Sequence, residues 1–145
     1  MTNTAMNKSD VFFNRMVGWL AKRGISLYGS RQLAVRGRKS GEWRTNPVNP
    51  LTIDGQRYLV APRGQTQWVR NIRVAGGGEL RLGRKAEGFT AVELADADKP
   101  DILRAYLKKW AFEVGRFFDG VGADASAEDL ARIAPQHPIF KITTR

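Results

Sequence analysis

Within nine residues, Arg36, Arg38, Lys39 and Arg44 supply four cations and Ser40 a hydroxyl, while Gly37 and Gly41 let the chain turn tightly among them. Guanidinium groups fork around oxyanions, a hydroxyl donates one more hydrogen bond, and glycines let backbone N–H groups approach a ligand closely. The chemistry on offer is capture of a phosphate- or carboxylate-sized anion. The pattern is not the phosphate-binding loop, which needs Gly-x-x-x-x-Gly-Lys ahead of a helix. Nor is it the Gly-x-Gly-x-x-Gly dinucleotide fingerprint. Read alone, the same residues also make an ordinary solvated basic turn.

A second constellation is Ala61-Pro62-Arg63-Gly64-Gln65, leading to Trp68, Arg70 and Asn71. It closes a strand-like run and opens a helix-like one, and backbone N–H groups at a helix start suit a ring carbonyl or an anion. The competing reading is a plain loop with Trp68 in the core. Other catalytic side chains are scarce. There is no cysteine and a single histidine, His137, which its neighbours Gln136 and Pro138 mark as a surface or capping residue. No carboxylate pair stands out for acid–base work, and nothing has the spacing of a metal site. Tyr106 and Tyr58 are the candidates for a proton donor. If the chain is an enzyme, a bound cofactor carries the chemistry and the protein positions it.

The net charge of +10 is concentrated: residues 31–85 hold twelve Lys and Arg against three Asp and Glu. Such a field attracts a polyanion, whether nucleic acid, an anionic membrane or a phosphorylated cofactor. No stretch reaches the roughly 20 apolar residues of a spanning helix, and the polar first ten residues lack a signal peptide's apolar core. The cytosol is therefore the expected setting.

The elements that must carry these loops can be placed. Val11, Phe12, Met16, Trp19 and Leu20 recur at helical spacing between Ser9, a fitting N-cap, and Gly24, a fitting stop. This N-terminal helix docks on the core or lies at the inner face of the plasma membrane as a peripheral contact. Strands are expected at 33–35, 51–53, 57–61, 79–83, 89–94 and 139–142, with an Asp54-Gly55 hairpin turn. Helices are expected over 66–75, from Pro100 to Val114, and over 127–133 with Ser126 as N-cap. Strands joined mainly by hairpins argue for an α+β fold around a mostly antiparallel, barrel-like sheet of six to seven strands. The chain reads as one domain over 1–145, with the N-terminal helix in 1–28 and the barrel in 31–145.

Gly37-Arg38-Lys39-Ser40-Gly41-x-x-Arg44-x-Asn46-Pro47, a hairpin ending near Ala61, and Trp68-x-x-Asn71-Ile72 resemble the deazaflavin-dependent nitroreductase family of actinobacteria. The similarity runs from about Leu33 to Leu94, with a weaker echo in Pro138-Ile139-Phe140. It implies a split β-barrel that binds coenzyme F420, an 8-hydroxy-5-deazaflavin with a phosphate and an oligoglutamate tail. Its reduced form would give a hydride to an electron-poor small molecule: an activated enone, a quinone or a nitro compound. By resemblance, Arg38, Lys39, Ser40 and Arg44, with Arg36 and Gly41 beside them, would hold the phosphate and tail. Asn46, Pro47, Ala61, Pro62, Arg63 and Gly64 would line the ring, and Trp68 and Asn71 would brace that wall. Two departures stand out: Ala75-Gly76-Gly77-Gly78 is expected to loosen the turn after Asn71, and the loop after Ala61 is abbreviated. Tyr106, Trp110, Phe112, Phe117 and Phe118 stand in for a tyrosine-rich segment of the nitroimidazole-reducing members, which argues against nitroimidazoles as acceptors and leaves quinones and activated enones open. Barrels of this kind often pair as homodimers. The alternatives are an FMN-dependent split-barrel oxidoreductase and a basic module that binds nucleic acid or an anionic membrane. On the resemblance, nucleic acid is not the expected partner.

Overall fold

The computed structural model describes residues 29–145, so the expected N-terminal helix lies outside the described residues. Its strands are β1 (Arg31–Arg36), β2 (Trp43–Val48), β3 (Leu51–Ile53), β4 (Gln56–Val60), β5 (Gly77–Leu82), β6 (Lys85–Glu93) and β7 (Ile139–Thr144). All neighbours pair antiparallel, in the order β2-β1-β5-β6-β7-β4-β3. The Asp54-Gly55 turn forms with φ of 49° and 80°, the two positive values a primed hairpin turn demands.

The two sheet edges, β2 and β3, are separated in sequence only by Asn49 and Pro50. Three Cα–Cα steps reach at most roughly 11 Å, so the sheet has to curl until its edges nearly meet. This is the split barrel that the sequence leads one to expect. The Asn49 amide donates to Glu113 Oε2 at 3.0 Å and so ties this seam to a helix.

Helices α1 (Gln67–Ala75), α2 (Pro100–Val114) and α3 (Ala127–Ile133) fall where the periodicity puts them. Ser126 Oγ accepts from the Asp129 N–H at 3.1 Å, the expected N-cap. Two cores result. Leu33, Val35, Leu59, Leu80, Phe89, Phe140 and Ile142 fill the barrel and bury Val69 and Ile72 of α1. Leu103, Tyr106, Leu107 and Trp110 of α2 pack with Leu130 and Ile133 of α3 against Leu51, Val60 and Ile139. A nine-residue helix is too short to persist alone. Burial of Val69 and Ile72, about 2 kcal/mol each, therefore holds α1 in place.

Three expectations are corrected. β2 is a full strand, and Arg44 lies within it and not in the loop: it pairs with Val35. β2 is an exposed edge strand with no alternation to read, and Pro47 fits only an edge. β6 begins at Lys85, four residues earlier than expected, because Gly83-Arg84 makes a tight turn to it from β5. Finally, the Gly76-Gly77-Gly78 run does not loosen its turn. Gly76 caps α1 in the left-handed region, its N–H bonded to Ile72 O at 2.8 Å and its carbonyl to the Ala91 N–H at 2.9 Å. A side chain at Gly77 or Gly78 would strike the carbonyl oxygens of Phe89 or Ala34, so the glycines permit strands to close up.

Candidate functional site

The basic loop is a closed structure. The Gly37 N–H donates to Glu42 O at 2.8 Å and the Gly41 N–H to Gly37 O at 2.9 Å, with Gly41 at φ 75°. Ser40 Oγ accepts from the Glu42 N–H at 3.2 Å and from Arg44 Nη2 at 3.4 Å. With both lone pairs directed inward, its hydroxyl proton is left to donate outward. Gly37 is buried, and a Cβ there would lie 3.0 Å from Ser40 Oγ and 3.5 Å from Arg44 Nε. The missing side chain is what lets the hydroxyl and the guanidinium converge. Lys39 and Arg44 are exposed, and among the described residues the carboxylate beside them, Glu42, sits 3.9 Å from Arg44.

Arg38 has a different task. Its N–H and its Nη1 donate to Asn71 Oδ1 at 3.1 and 2.8 Å, and Nη1 reaches Gln67 Oε1 at 2.9 Å. Gln67 and Asn71 lie one turn apart on α1, so two neutral oxygens on one helix face dock the loop without cancelling its charge. Asn71 is 4% exposed and accepts two of these three bonds. This docking brings the loop against the segment that opens α1, and so joins the two sequence constellations.

That second segment is also braced. The Ala61 carbonyl accepts from the Gly64 N–H at 3.2 Å, and Thr66 N–H donates to Gly64 O at 2.9 Å. Thr66 precedes α1 with its own hydroxyl buried and unpartnered, and no acidic residue occupies the helix's first turn. The positive end of α1 is thus uncompensated. Arg63 is half-buried 5.2 Å above the Phe117 ring, and burial alone pulls its pKa down. Trp68 packs against Phe140 at 5.9 Å between ring centres.

His137 is not the surface residue its neighbours indicate. It is 3% exposed, stacked on Phe118 at 4.1 Å, with Nδ1 3.3 Å from Ala61 O. A carbonyl only accepts, so Nδ1 carries the proton and Nε2 is left as a buried acceptor without a partner. Burial lowers its pKa, and the hydrogen bonds to the backbone at Ala61 and Pro62 oppose that only in part.

The other candidates distribute as follows. Directly paired residues share a sheet face, so Arg44 and Asn46 lie on the side of Val35 and Leu33, the face that α1 covers, whereas Pro47 projects from the other face. Arg36 lies on that other face too, 4.1 Å over Trp43, and donates to Gly41 O at 3.2 Å. Arg81 also lies over Trp43, at 5.0 Å. An indole already carrying two guanidiniums is a poor platform for nucleic-acid bases, which weighs against that alternative. Tyr106 is 1% exposed in the α2–α3 core, its phenol pushed up by burial and by the charge of Glu113. Tyr58 is half-buried beside the same core, so neither tyrosine joins the two loops. The sequence reading missed Gln67, His137 as a buried support, and the Phe117 seat under Arg63. Only Gln67 left a signal, its i,i+4 spacing from Asn71. Among the described residues no group of His, Cys, Asp and Glu could hold a metal, and no helix is long and apolar enough to cross a membrane.

A family model described as F420H(2)-dependent quinone reductase matches residues 10–114. No curated protein sequence is significantly similar to the chain. Solved structures share its fold. One described as a domain-swapped dimer is 16% identical, with 89% of this chain and 92% of that one covered and a TM-score of 0.57. The F420-H2 dependent reductase FDR-A is 17% identical over 79% and 94% of the two chains, at 0.55. The conserved hypothetical protein Rv2991 from Mycobacterium tuberculosis is 15% identical over 97% and 82%, at 0.53.

Proposed function

From the premise that this chain belongs to the F420H(2)-dependent quinone reductase family, we propose that the loops 36–44 and 61–66 together form its cofactor site. The protein is an oxidoreductase whose hydride donor is reduced coenzyme F420. When bound, that cofactor supplies a hydride from C5 for two-electron reduction of an electron-poor acceptor. The observation that carries the assignment is the convergence of Ser40 Oγ and Arg44 over Gly37, a cradle a single Cβ would fill. The donor set fits the group: exposed cations, an outward hydroxyl and one carboxylate suit a phosphate followed by carboxylates.

Lys39, Ser40 and Arg44 hold the phosphate, and Arg36 and Gly41 flank the path of the tail. Arg38 keeps the loop seated on α1 through Asn71 and Gln67. The segment from Ala61 to Gly64 and Asn46 face the ring, Pro47 closes the outer edge of β2, and Trp68 stiffens the wall from behind. Because Tyr106 and Tyr58 lie away from these loops, the proton that follows the hydride comes from solvent. The acceptor class is a quinone or activated enone. The protein works in the cytosol, with the N-terminal segment as a peripheral contact to the inner membrane face, where a lipid-soluble quinone would be met. It forms a homodimer, a reading supported by the dimeric relative of the same fold. It works as a single domain.

The test is to mix the purified protein with reduced F420 and follow reappearance of the oxidised cofactor's absorbance with quinones, enones and nitroaromatics. Turnover with quinones or enones is expected. Turnover restricted to nitroaromatics, or none, refutes the acceptor assignment.

A further inference from the structure

Among the described residues Arg63 has no acidic partner. It is half-buried, and its guanidinium rests on Phe117 at 5.2 Å. The loop that carries it is fixed: Ala61 O is held by the Gly64 N–H and by His137 Nδ1, and a Cβ on Gly64 would lie 3.1 Å from Gln136 O. A guanidinium partly withdrawn from water gives up solvation that one aromatic ring returns only in part. Such an arrangement favours a ligand that brings negative charge.

We propose that Arg63 stabilises the anionic, 8-hydroxyl-ionised form of the oxidised deazaflavin ring. This rests on the cofactor-site reading above. Ionised at the 8-hydroxyl, the oxidised ring spreads its charge through conjugation from that oxygen to the carbonyl at the far end. A cation at either end of the ring edge therefore favours the anion, whichever way the ring lies. In the reduced ring the conjugation is interrupted at C5 and the hydroxyl is an ordinary phenol. Oxidation to the anion would release a hydride from C5 and two protons, one from N1 and one from the 8-hydroxyl, and Arg63 would stabilise the negative charge left on the ring. The acceptor would take the hydride and one proton, and the second proton would go to solvent, so charge and atoms balance.

Other charged groups near the loop leave this role to Arg63. His137, behind Ala61, is held neutral by burial. Lys99 is buried and already bonded to Asp96 at 2.8 Å and to Ala134 O at 3.0 Å. Arg116 shares the Phe117 ring at 5.0 Å, from the exposed side chain of a neighbouring turn.

The experiment is an absorbance titration against pH of oxidised F420 held by excess protein, which reads ring ionisation and not turnover. A cation at close range lowers an acid's midpoint by about one to three units. Bound to the wild type, the midpoint should fall below that of free cofactor by that amount. Arg63→Gln should return it towards the free value, Arg63→Lys should keep most of the shift, and Phe117→Leu should lose part of it. Lys39→Ala weakens binding but should leave the midpoint of saturated protein unmoved. If Arg63→Gln does not bind, the wild type, Arg63→Lys and Phe117→Leu decide. A wild-type midpoint at or above the free value, or one that Arg63→Gln leaves in place, overturns the proposal. Failure of the wild type to bind F420 at all refutes the cofactor-site reading and this proposal with it.

Discussion

Asn71 separates what holds the basic loop in place from what the loop attracts. Its Oδ1 accepts from the Arg38 N–H and guanidinium, at 3.1 and 2.8 Å, while buried under the loop. Asn71→Leu keeps the bulk and removes both acceptors. An unpaired N–H costs about 1 kcal/mol and a bond to a charged group about 1.5–3 kcal/mol. Gln67 still holds the guanidinium, so a loss of about 2–3 kcal/mol is expected, which lowers Tm by roughly 5–10 °C for a chain of this size. Asn71→Asp keeps both acceptors and adds a negative charge behind the loop. The fold should keep its Tm to within about 2 °C, while Arg38 is neutralised and a bound phosphate repelled. At roughly 8 Å and an effective dielectric between those of protein surface and water, each effect is about 0.5–1 kcal/mol. Affinity for F420 should then fall roughly 5- to 30-fold. The assay is fluorescence quenching of F420 at low salt, repeated at high salt, where screening should shrink the difference. A well-folded Asn71→Asp that binds F420 as tightly as the wild type at low salt would refute the reasoning, because the loop would then not be the anion's seat.

Other perturbations probe the scaffold and the proton. Gly77→Ala should destabilise by about 4 kcal/mol or more, seen as a collapse of Tm, since its Cβ meets the Phe89 carbonyl in a packed sheet. His137 has a pKa lowered by burial, so the unfolded chain takes up the proton first. The stability this contributes is complete above about pH 6.5 and is lost as pH falls from there towards the folded-state value. His137→Phe should flatten that acid limb in a plot of Tm against pH, and an unchanged limb would mean that another group causes it. Tyr106→Phe should leave kcat for quinone reduction within about twofold and cost about 1 kcal/mol of stability; a large fall in kcat would make the phenol the proton donor.

Elements with a local cause could be read from the sequence. Asp54-Gly55 fixes its hairpin through backbone preference, and α2 shows its buried face as Ile102, Leu103, Tyr106, Leu107 and Trp110 at helical spacing. β2 could not be read, because an exposed edge strand is held by its partner's backbone and not by an alternating face. In the site, the residue types of loop 36–44 announced an anion, but pairing decides their tasks. Arg38 lies 33 positions from Asn71, and their contact exists only once α1 is docked on β1. His137 misled for the same reason: polar Gln136 is exposed, yet the next residue turns inward under Ala61, a proximity that a separation of 76 positions conceals. The glycines after α1 look like slack in a string of letters and are close contacts in a curled sheet.

The central claim is that Lys39 and Arg44, the latter bonded to Ser40, anchor the cofactor's phosphate. The most direct measurement is the Kd of F420 for the wild type and for the Lys39→Ala/Arg44→Ala double variant, by fluorescence quenching at fixed ionic strength, with Tm recorded for both. Loss of two charge-assisted contacts of about 1–1.5 kcal/mol each predicts weakening on the order of 30- to 150-fold at unchanged Tm. Equal Kd values in equally stable proteins would contradict it.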